Sequence, residues 1–282
     1  MRVGITGVNG FLGGEVYKKL YDLGHLVVPL DSITRKEFLA LKIQESNLTD
    51  LDWVLHFGSK TSIPDSQNDP FSTYASNISS TLSALKIAEK TKSCFLFMSS
   101  FVYGSHHYVP IDEKHPVSAS NPYMSSKIVS EEICTQITKI NNIPLIILRG
   151  FNIYGSKLIP GRLISDLIIA KNNNELLTIN DSNPKRDYLY IKDFVGLIEK
   201  IINSFPIKSG IYNVGYGQAY TNLEVANIFR ELIGESRMVR INSKKRVNDI
   251  LDCSVDTQLI KKTFSWSPEY SLKQGLSDFL LQ

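Results

Sequence analysis

The chain lacks the features that mark several protein classes. Its 282 residues include only three cysteines, and no apolar run approaches the roughly 18–20 residues that span a bilayer. Cys94, Cys134 and Cys253 are odd in number and form no CxxC pair, which argues against a disulfide framework or a zinc site. The start "MRVGITG" leads directly into a strand pattern. We therefore expect no signal peptide, no membrane association and a cytoplasmic location.

Charge of one sign is also scarce. The net charge is only +3, so composition predicts no nucleic-acid partner. The short basic run "SKKRV" at 243–247 is interpreted as an anion contact or a solvated loop. His106 and His107 are adjacent but have no accompanying set of carboxylates and cysteines, so we predict no metal site.

Short apolar runs alternate with helical patterns in the first half of the chain. Continuous apolar runs of strand length are typical of strands that are buried on both faces of a parallel sheet. Helical segments at about 72–91 and 122–141 lie between such runs. This alternation predicts an α/β fold, with a Rossmann-type doubly wound parallel sheet. The predicted strands are "MRVGIT", "HLVVPL", "LDWVLHF", "CFLFMS" and "IPLIILRG".

The second half predicts a smaller, mixed α/β C-terminal lobe for the substrate. We divide the chain into a dinucleotide-binding domain, 1–155, and a nucleotide-sugar-binding lobe, 156–282, with segments near 187–215 returning to the first domain. Helices are predicted near 160–172, 192–203, 221–233, 256–263 and 271–281, and strands at 187–191, 210–214 and 237–241.

A glycine-rich turn connects the first strand to the first helix. Gly7, Gly10 and Gly13 have the spacing GxxGxxG. Glycines here permit a tight turn and close approach of a pyrophosphate to the helix N-terminus. We predict a dinucleotide site; the alternative is a glycine turn without a ligand. Asp31 ends the second strand, where a carboxylate binds a ribose diol and repels a 2′-phosphate, which favours NAD. It could instead cap the next turn, and nearby Arg35 leaves NADP open.

A tyrosine and a lysine share one helix face. Tyr123 and Lys127 are four residues apart, and an ammonium near a phenol favours the phenolate. Such a tyrosine can exchange a proton with a sugar hydroxyl or ketone. Ser99 ends the strand that precedes this helix, at the sheet edge where ligands of parallel sheets bind.

The same helix has a predicted start and a predicted buried stripe. Asn121 is the expected N-cap and Pro122 the first helical residue. Apolar residues at helical spacing predict that one face packs on the core. These residues are Val129, Ile133, Ile137 and Ile140.

Several motifs in order resemble the extended short-chain dehydrogenase/reductase family of nucleotide-sugar epimerases, dehydratases and reductases. The resemblance covers nearly the whole chain. "TGVNGFLG" is similar to the cofactor motif TGxxGFLG, "SSFVYG" to SSxxVYG, and "NPYMSSK" to NPYxxSK. The remaining matches are "HFGSKTSIPDS", "LRGFNIYG", "KRDYLYIKD", "GIYNVGYGQAYTNLE" and "FSWSPEYSLKQGL".

The resemblance implies a role for each matched position. Ser99 would hydrogen-bond the reacting oxygen, Tyr123 would be the acid/base, and Lys127 would tune Tyr123 and hold the nicotinamide ribose. The implied cofactor-binding residues are Gly7, Asn9, Gly10, Phe11, Leu12, Gly13, Asp31, Phe57, Gly58, Ser59, Asn77, Tyr123 and Lys127. The implied cofactor is NAD, with NADP still open. The implied partner is a nucleotide-diphosphate sugar, and the implied process is polysaccharide biosynthesis.

Substrate residues are also implied. Asn152, Arg186 and Arg246 would contact the nucleotide diphosphate, and an arginine fork suits a phosphate. The alternatives are an ion pair of Arg186 with Asp187 or Asp181, and a solvated loop charge at Arg246. Lys60, Thr61 and Ser100 complete the substrate list, with a solvated side chain as the alternative for Lys60. The family also implies a homodimer through the helices at about 72–91 and 122–141.

One departure from the family concerns the adenine side. Only "SITRKEFLALKIQESNLTD" separates the second strand from the third. The family usually has another strand and helix here, so the adenine pocket must be abbreviated.

A second departure concerns the reaction. Ser100 and Phe101 stand where the family's 4,6-dehydratases carry Asp-Glu, and neither side chain is an acid/base suited to β-elimination, so we predict that the protein is not a dehydratase. Two reactions at the sugar C4 remain open: 4-epimerisation, slightly favoured, and reduction of a 4-keto sugar. A non-catalytic dinucleotide sensor is disfavoured because Ser99, Tyr123 and Lys127 are all present.

Overall fold

The computed structural model describes residues 1–31, 50–105, 107–236, 238–242 and 250–281. The chain divides into two compact units. The first unit comprises Met1–Ser105, Pro116–Gly150 and Leu197–Tyr212, and the second unit comprises His106–His115, Phe151–Gly196 and Asn213–Gln282.

The described residues contain these elements. The strands are β1 Arg2–Thr6, β2 Leu26–Pro29, β3 Trp53–His56, β4 Cys94–Met98, β5 Leu145–Gly150, β6 Asn152–Tyr154, β7 Thr178–Ile179, β8 Lys185–Tyr190, β9 Gly210–Val214, β10 Ala219–Thr221, β11 Arg240–Ile241 and β12 Asp252–Cys253. The helices are α1 Phe11–Asp22, α2 Ile63–Asn68, α3 Pro70–Thr91, α4 Pro122–Ile140, α5 Leu163–Asn172, α6 Ile191–Ile202, α7 Asn222–Leu232, α8 Gln258–Phe264 and α9 Leu272–Leu280.

A parallel sheet organises the first unit. Its strand order is β2-β1-β3-β4-β5-β9, and the pairs from β2 to β5 are parallel. Thr6 lies opposite His56, and His56 lies opposite Phe97, so the carboxyl ends of β1, β3 and β4 reach the same edge. This sheet with its helices confirms the predicted α/β Rossmann-type fold, and each of the five apolar runs forms a strand.

The core of the first unit lies on the sheet. Val54, Phe95 and Phe97 are fully buried, and Leu85 and Ala88 of α3 pack against the same cluster. Burial of this apolar surface stabilises the sheet by about 25 cal/mol per Å². Because both faces of the strands are covered, their apolar runs are continuous rather than alternating.

Helix α4 buries a polar face, and the predicted apolar stripe is wrong at its two ends. Val129 is 39% exposed and Ile140 is 76% exposed, while Ile133 and Ile137 are only partly buried. The buried positions are Tyr123, Met124, Ser126, Lys127, Ser130, Glu131, Cys134 and Thr138. Polar side chains can occupy this face because they hydrogen-bond one another and the strand ends, which removes the penalty of burying them unpaired.

The second unit contains a mixed sheet. Strand β8 pairs in parallel with β6 and β12 and antiparallel with β10. A second pair joins β7 to β11. The observed helices α5 to α9 agree with the predicted segments to within about three residues. The described part of the chain contains no helix with the length and apolarity needed to cross a membrane.

Candidate active site

The glycine turn has a shape that only glycine allows at its first position. Gly7 has φ +78°, and a Cβ there would lie 2.8 Å from the Gly58 nitrogen. The Gly10 amide closes the turn on the Gly7 carbonyl at 2.8 Å. Helix α1 begins at Phe11, and no side chain caps its N-terminus. Its first N–H groups and the positive end of its dipole suit a phosphate.

Asp31 braces this turn. Its carboxylate accepts hydrogen bonds from the Gly7 amide at 2.5 Å and the Val8 amide at 3.0 Å. A carboxylate accepts hydrogen bonds, and this chemistry suits the hydroxyls of a ribose diol. The ribose contact and the preference for NAD over NADP stay predictions.

Asn9, Phe11 and Leu12 complete the predicted cofactor positions on this turn. Asn9 is exposed within the turn, and Phe11 and Leu12 form the first turn of α1. They lie next to the uncapped helix N-terminus, as the motif predicts.

A buried histidine joins the turn to helix α3, which the sequence analysis missed. His56 is 1% exposed, with Nδ1 at 2.7 Å from Thr6 Oγ1 and Nε2 at 3.2 Å from Thr81 Oγ1. Thr81 donates its own proton to the Asn77 carbonyl at 2.8 Å. Thr81 therefore accepts from His56, which assigns the imidazole proton to Nε2. Burial, together with the charge of Lys127, lowers the pKa of His56 from 6.5 to about 3, so the imidazole is neutral.

Asn77 holds the loop after β3. Its Oδ1 accepts from the Lys60 amide at 2.8 Å, and its Nδ2 donates to the Lys60 carbonyl at 3.1 Å and to Ser126 Oγ at 2.9 Å. These bonds fix the backbone that contains Phe57, Gly58 and Ser59. The contact of Asn77 and of these three residues with a cofactor stays a prediction.

Tyr123 and Lys127 are buried together on α4. Asn121 caps the helix by accepting from the Met124 amide at 2.9 Å, which confirms the predicted start. Lys127 Nζ donates to the Met98 carbonyl at 2.9 Å. Burial lowers the pKa of Lys127 from 10.5 to about 8. The ammonium is thus tethered at the end of β4, one residue before Ser99.

Ser99 is bonded to a buried carboxylate that the sequence analysis missed. Its Oγ donates to Glu131 Oε1 at 2.5 Å. Arg149 donates to the same carboxylate through Nε, at 3.1 and 3.2 Å, and through Nη2, at 2.6 Å. Arg149 also donates to the Tyr103 hydroxyl at 3.2 Å. Glu131 lies eight residues after Tyr123, about two helical turns along the same face of α4. This spacing is the feature of the sequence that could have identified Glu131 as part of the site.

The first unit also carries three of the predicted substrate residues: Lys60, Thr61 and Ser100. Lys60 and Thr61 line a cleft of about 490 Å³, and Lys60 Nζ donates to Ser72 Oγ at 2.6 Å. The other lining residues are Ser62, Asp65, Asn68, Asp69 and Thr73. Ser100 is partly exposed beside Ser99. A polar cleft lined by hydroxyls, an amide, a lysine and two carboxylates suits the hydroxyl groups of a ligand.

The predicted diphosphate residues Asn152 and Arg186 belong to the second unit. Asn152 Nδ2 donates to the Asp187 carbonyl at 3.1 Å, and Arg186 Nη1 donates to the Ile250 carbonyl at 2.6 Å. Arg246 lies outside the described residues, as do Arg35 and His106. The contacts of Asn152, Arg186 and Arg246 with a diphosphate stay predictions.

The whole chain resembles a family of known proteins. Residues 3–215 match the model of the NAD dependent epimerase/dehydratase family. The chain belongs to this family. Membership confirms the family resemblance and a nicotinamide dinucleotide cofactor, and it agrees with the glycine turn, the uncapped α1 and the Tyr123–Lys127 pair.

Individual members of the family show how far the likeness extends. The chain is 29% identical to a putative UDP-glucose 4-epimerase of Methanocaldococcus jannaschii, over 96% of this chain and 95% of that protein. UDP-glucuronic acid decarboxylases are also among its relatives. A UDP-N-acetylglucosamine 4-epimerase from Methanobrevibacter ruminantium has the same fold, with a TM-score of 0.89, 22% identity, and coverage of 99% of this chain and 97% of that chain.

A dehydratase is similar to the chain as well. The NDP-hexosamine 5,6-dehydratase TunA of tunicamycin biosynthesis matches with a TM-score of 0.88 and 26% identity, over 99% of this chain and 97% of that chain. Membership of the family therefore does not by itself exclude loss of water. That exclusion stays a prediction, which rests on Ser100 and Phe101 in place of the Asp-Glu pair.

Proposed function

We propose that the protein is an NAD-dependent 4-epimerase of a nucleotide-diphosphate hexose. The observation that carries the proposal is a group of three buried side chains near the end of β4. Lys127 donates to the Met98 carbonyl, Tyr123 lies one turn away on α4, and Ser99 directly follows the last residue of the strand. A tyrosine next to an ammonium suits proton exchange with a hydroxyl. The likeness to 4-epimerases supports C4 as the reacting carbon.

The residues have separate tasks in the proposed reaction. Tyr123 accepts the proton of the sugar hydroxyl at its phenolic oxygen and returns it after the sugar turns its other face. Lys127 stabilises the phenolate by its charge. Ser99 holds the reacting oxygen. NAD, when bound, supplies a hydride acceptor that can give the hydride back, with its phosphates at the N-terminus of α1.

The substrate is proposed from chemistry and relatives together. Arg186, Arg246 and Asn152 are assigned to the diphosphate, because guanidinium forks and amides suit phosphate oxygens. Lys60, Thr61 and Ser100 are assigned to the sugar side. UDP-hexoses are the first class to test, because the epimerases among the relatives are named for UDP-sugars. We propose that the protein is a homodimer. Light scattering would measure its mass in solution.

The reaction is tested on the purified protein. The dinucleotide released by denaturation is identified, and the protein is then incubated with a panel of UDP-, dTDP-, GDP- and CDP-hexoses without added cofactor. We expect retained NAD and formation of the C4 epimer. Consumption of added NADPH with a 4-keto sugar nucleotide would show a 4-ketoreductase instead, and a product lighter by one water would show a dehydratase.

The role of Tyr123 is tested by substitution. Tyr123→Phe removes the acid/base oxygen and should abolish turnover while the dinucleotide is retained. Tyr21→Phe is the matched control, because Tyr21 is 63% exposed on α1. Activity of Tyr123→Phe close to that of the parent protein would contradict the assigned role.

A further inference from the structure

Three charged side chains are buried around the end of β4. Lys127 and Glu131 are four residues apart on α4, a spacing that places two side chains on one face of a helix. Arg149 of β5 completes the group, and each of the three residues is at most 6% exposed. Because water is largely excluded, the charges act on one another more strongly than they would at the surface.

Lys127 and Glu131 are anchored to consecutive residues of the chain. Lys127 Nζ donates to the Met98 carbonyl at 2.9 Å, and Glu131 Oε1 lies 2.5 Å from Ser99 Oγ. The ammonium and the carboxylate are therefore held at neighbouring points where β4 ends. An anion in this position favours the charged form of the lysine.

Arg149 opposes part of this effect. The guanidinium donates to both oxygens of Glu131 at distances of 2.6 to 3.2 Å. Two buried cations, Lys127 and Arg149, therefore share one anion. Burial lowers the pKa of Lys127, and Glu131 acts against burial by raising that pKa. Without Glu131, the two cations would face each other with no compensating charge.

The other groups that could carry charge near Lys127 leave Glu131 as its anion. Burial, with the charge of Lys127, lowers the pKa of His56 to about 3, so this imidazole of β3 is neutral. Burial also raises the pKa of the Cys134 thiol on α4, which keeps it protonated. Tyr123 is the group that exchanges the proton in the proposed reaction. The side chains of α3 that bond to α4 are the uncharged Asn77 and Thr81.

We propose that Glu131 is a positioning residue whose negative charge holds the proton on Lys127 and so keeps the ammonium available to Tyr123. The inference rests on the proposed function, in which the charge of Lys127 stabilises the Tyr123 phenolate. Arg149 limits the effect, because it neutralises part of the carboxylate charge. The alkaline limit of turnover then depends on Glu131 and Arg149 as well as on Lys127.

The test measures the titration of Lys127 itself. The protein is purified with its dinucleotide and with ¹³C-labelled lysine side chains, and NMR follows the lysine Cε resonances as the pH rises. The Lys127→Met protein identifies the resonance of Lys127. In Glu131→Gln the titration midpoint of Lys127 should fall by about one pH unit, because the anion is lost and Arg149 remains. In Arg149→Met the midpoint should rise, because Glu131 then acts on Lys127 alone.

A double variant separates charge from structure. Glu131→Gln combined with Arg149→Met removes one anion and one cation, and replacement of a whole buried ion pair by neutral side chains is commonly tolerated. The midpoint of Lys127 should return close to that of the parent protein. Ser99→Ala removes the hydroxyl beside Glu131 without a change of charge, and Glu132→Gln removes an exposed carboxylate of α4. Neither control should move the midpoint.

The outcomes distinguish this inference from the proposed function. A midpoint that is unchanged in Glu131→Gln, or that stays lowered in the double variant, overturns the role of Glu131 while the proposed function stands. If Glu131→Gln does not fold, the double variant is compared with Arg149→Met, and equal midpoints overturn the inference. Where turnover persists, the alkaline limb of the pH–rate profile should move with the midpoint. Absence of epimerisation by the parent protein overturns the proposed function, and the midpoints still decide whether Glu131 controls the charge of Lys127.

Discussion

Acidification should destabilise the first unit through one buried histidine. His56 is neutral in the fold because burial, with the charge of Lys127, lowers its pKa to about 3, whereas the unfolded chain has the ordinary value of 6.5. Between these two values the unfolded state binds a proton that the folded state does not. The contribution to stability is therefore full above pH 6.5 and is lost as pH falls toward 3.

The size of the effect follows from the shift. Each pH unit inside this window changes the free energy of unfolding by about 1.4 kcal/mol, so His56 should account for a loss of about 2 kcal/mol between pH 6.5 and pH 5. Asp187 acts in the opposite direction, because burial raises the pKa of its carboxyl to about 7. The quantity to measure is therefore the difference in the free energy of unfolding between the parent protein and a His56 variant at each pH.

The assay uses the fluorescence of Trp53, one of the two tryptophans of the chain. Trp266→Phe leaves Trp53 as the only tryptophan, in β3 with His56, so fluorescence during urea unfolding reports on the first unit. In this background, His56→Gln loses the bonds to Thr6 and Thr81 and is less stable at pH 7. At pH 7 the free energy of unfolding of His56→Gln is lower than that of the parent protein. At pH 5 this difference should be smaller by about 2 kcal/mol, because only the parent loses stability through protonation of His56. Leu20→Ala, a fully buried core truncation, should keep the same deficit at both pH values. A deficit of His56→Gln that does not change with pH would refute the reasoning.

Three further predictions concern the same unit. Turnover should fall above about pH 8, because burial lowers the pKa of Lys127 to about 8 and the ammonium then loses its proton. A pH–rate profile that stays flat to pH 10 would contradict the role of the ammonium. Gly13→Ala should abolish retention of the dinucleotide, because a Cβ at this position would overlap the Gly7 carbonyl oxygen. Gly196→Ala, where a Cβ would meet open space, should retain the dinucleotide. The dinucleotide released on denaturation measures both outcomes. Asn77→Ala should lower the free energy of unfolding, measured in urea, by about 2 kcal/mol, because the amide and carbonyl of Lys60 lose their partners. Ser79→Ala, at a partly exposed position of α3, should change this free energy by less than about 0.5 kcal/mol. Equal losses in the two variants would show that Asn77 does not hold the loop after β3.

The local pattern was sufficient to predict the strands and the glycine turn. Apolar runs of strand length predict buried parallel strands, and Gly7 with φ +78° meets a steric condition that any sequence with that turn must satisfy. The cap at Asn121 and the spacing of Tyr123 and Lys127 also depend only on residues within one helical turn. These features could be predicted because neighbours along the chain determine them.

Contacts between distant segments decided the rest. Hydrophobic periodicity predicted an apolar buried face on α4, but Glu131 finds Arg149 eighteen positions away and Ser99 thirty-two positions away, and these partners make burial of the polar face favourable. The neutral state of His56 likewise depends on its burial and on the charge of Lys127 from another element, which lower the pKa of the imidazole. The sequence by itself determined which residue types stand at the strand ends. Only the tertiary structure decided the direction of the Ser99 proton and the charge of His56, because both are set by partners that the fold brings together and by the loss of water around them.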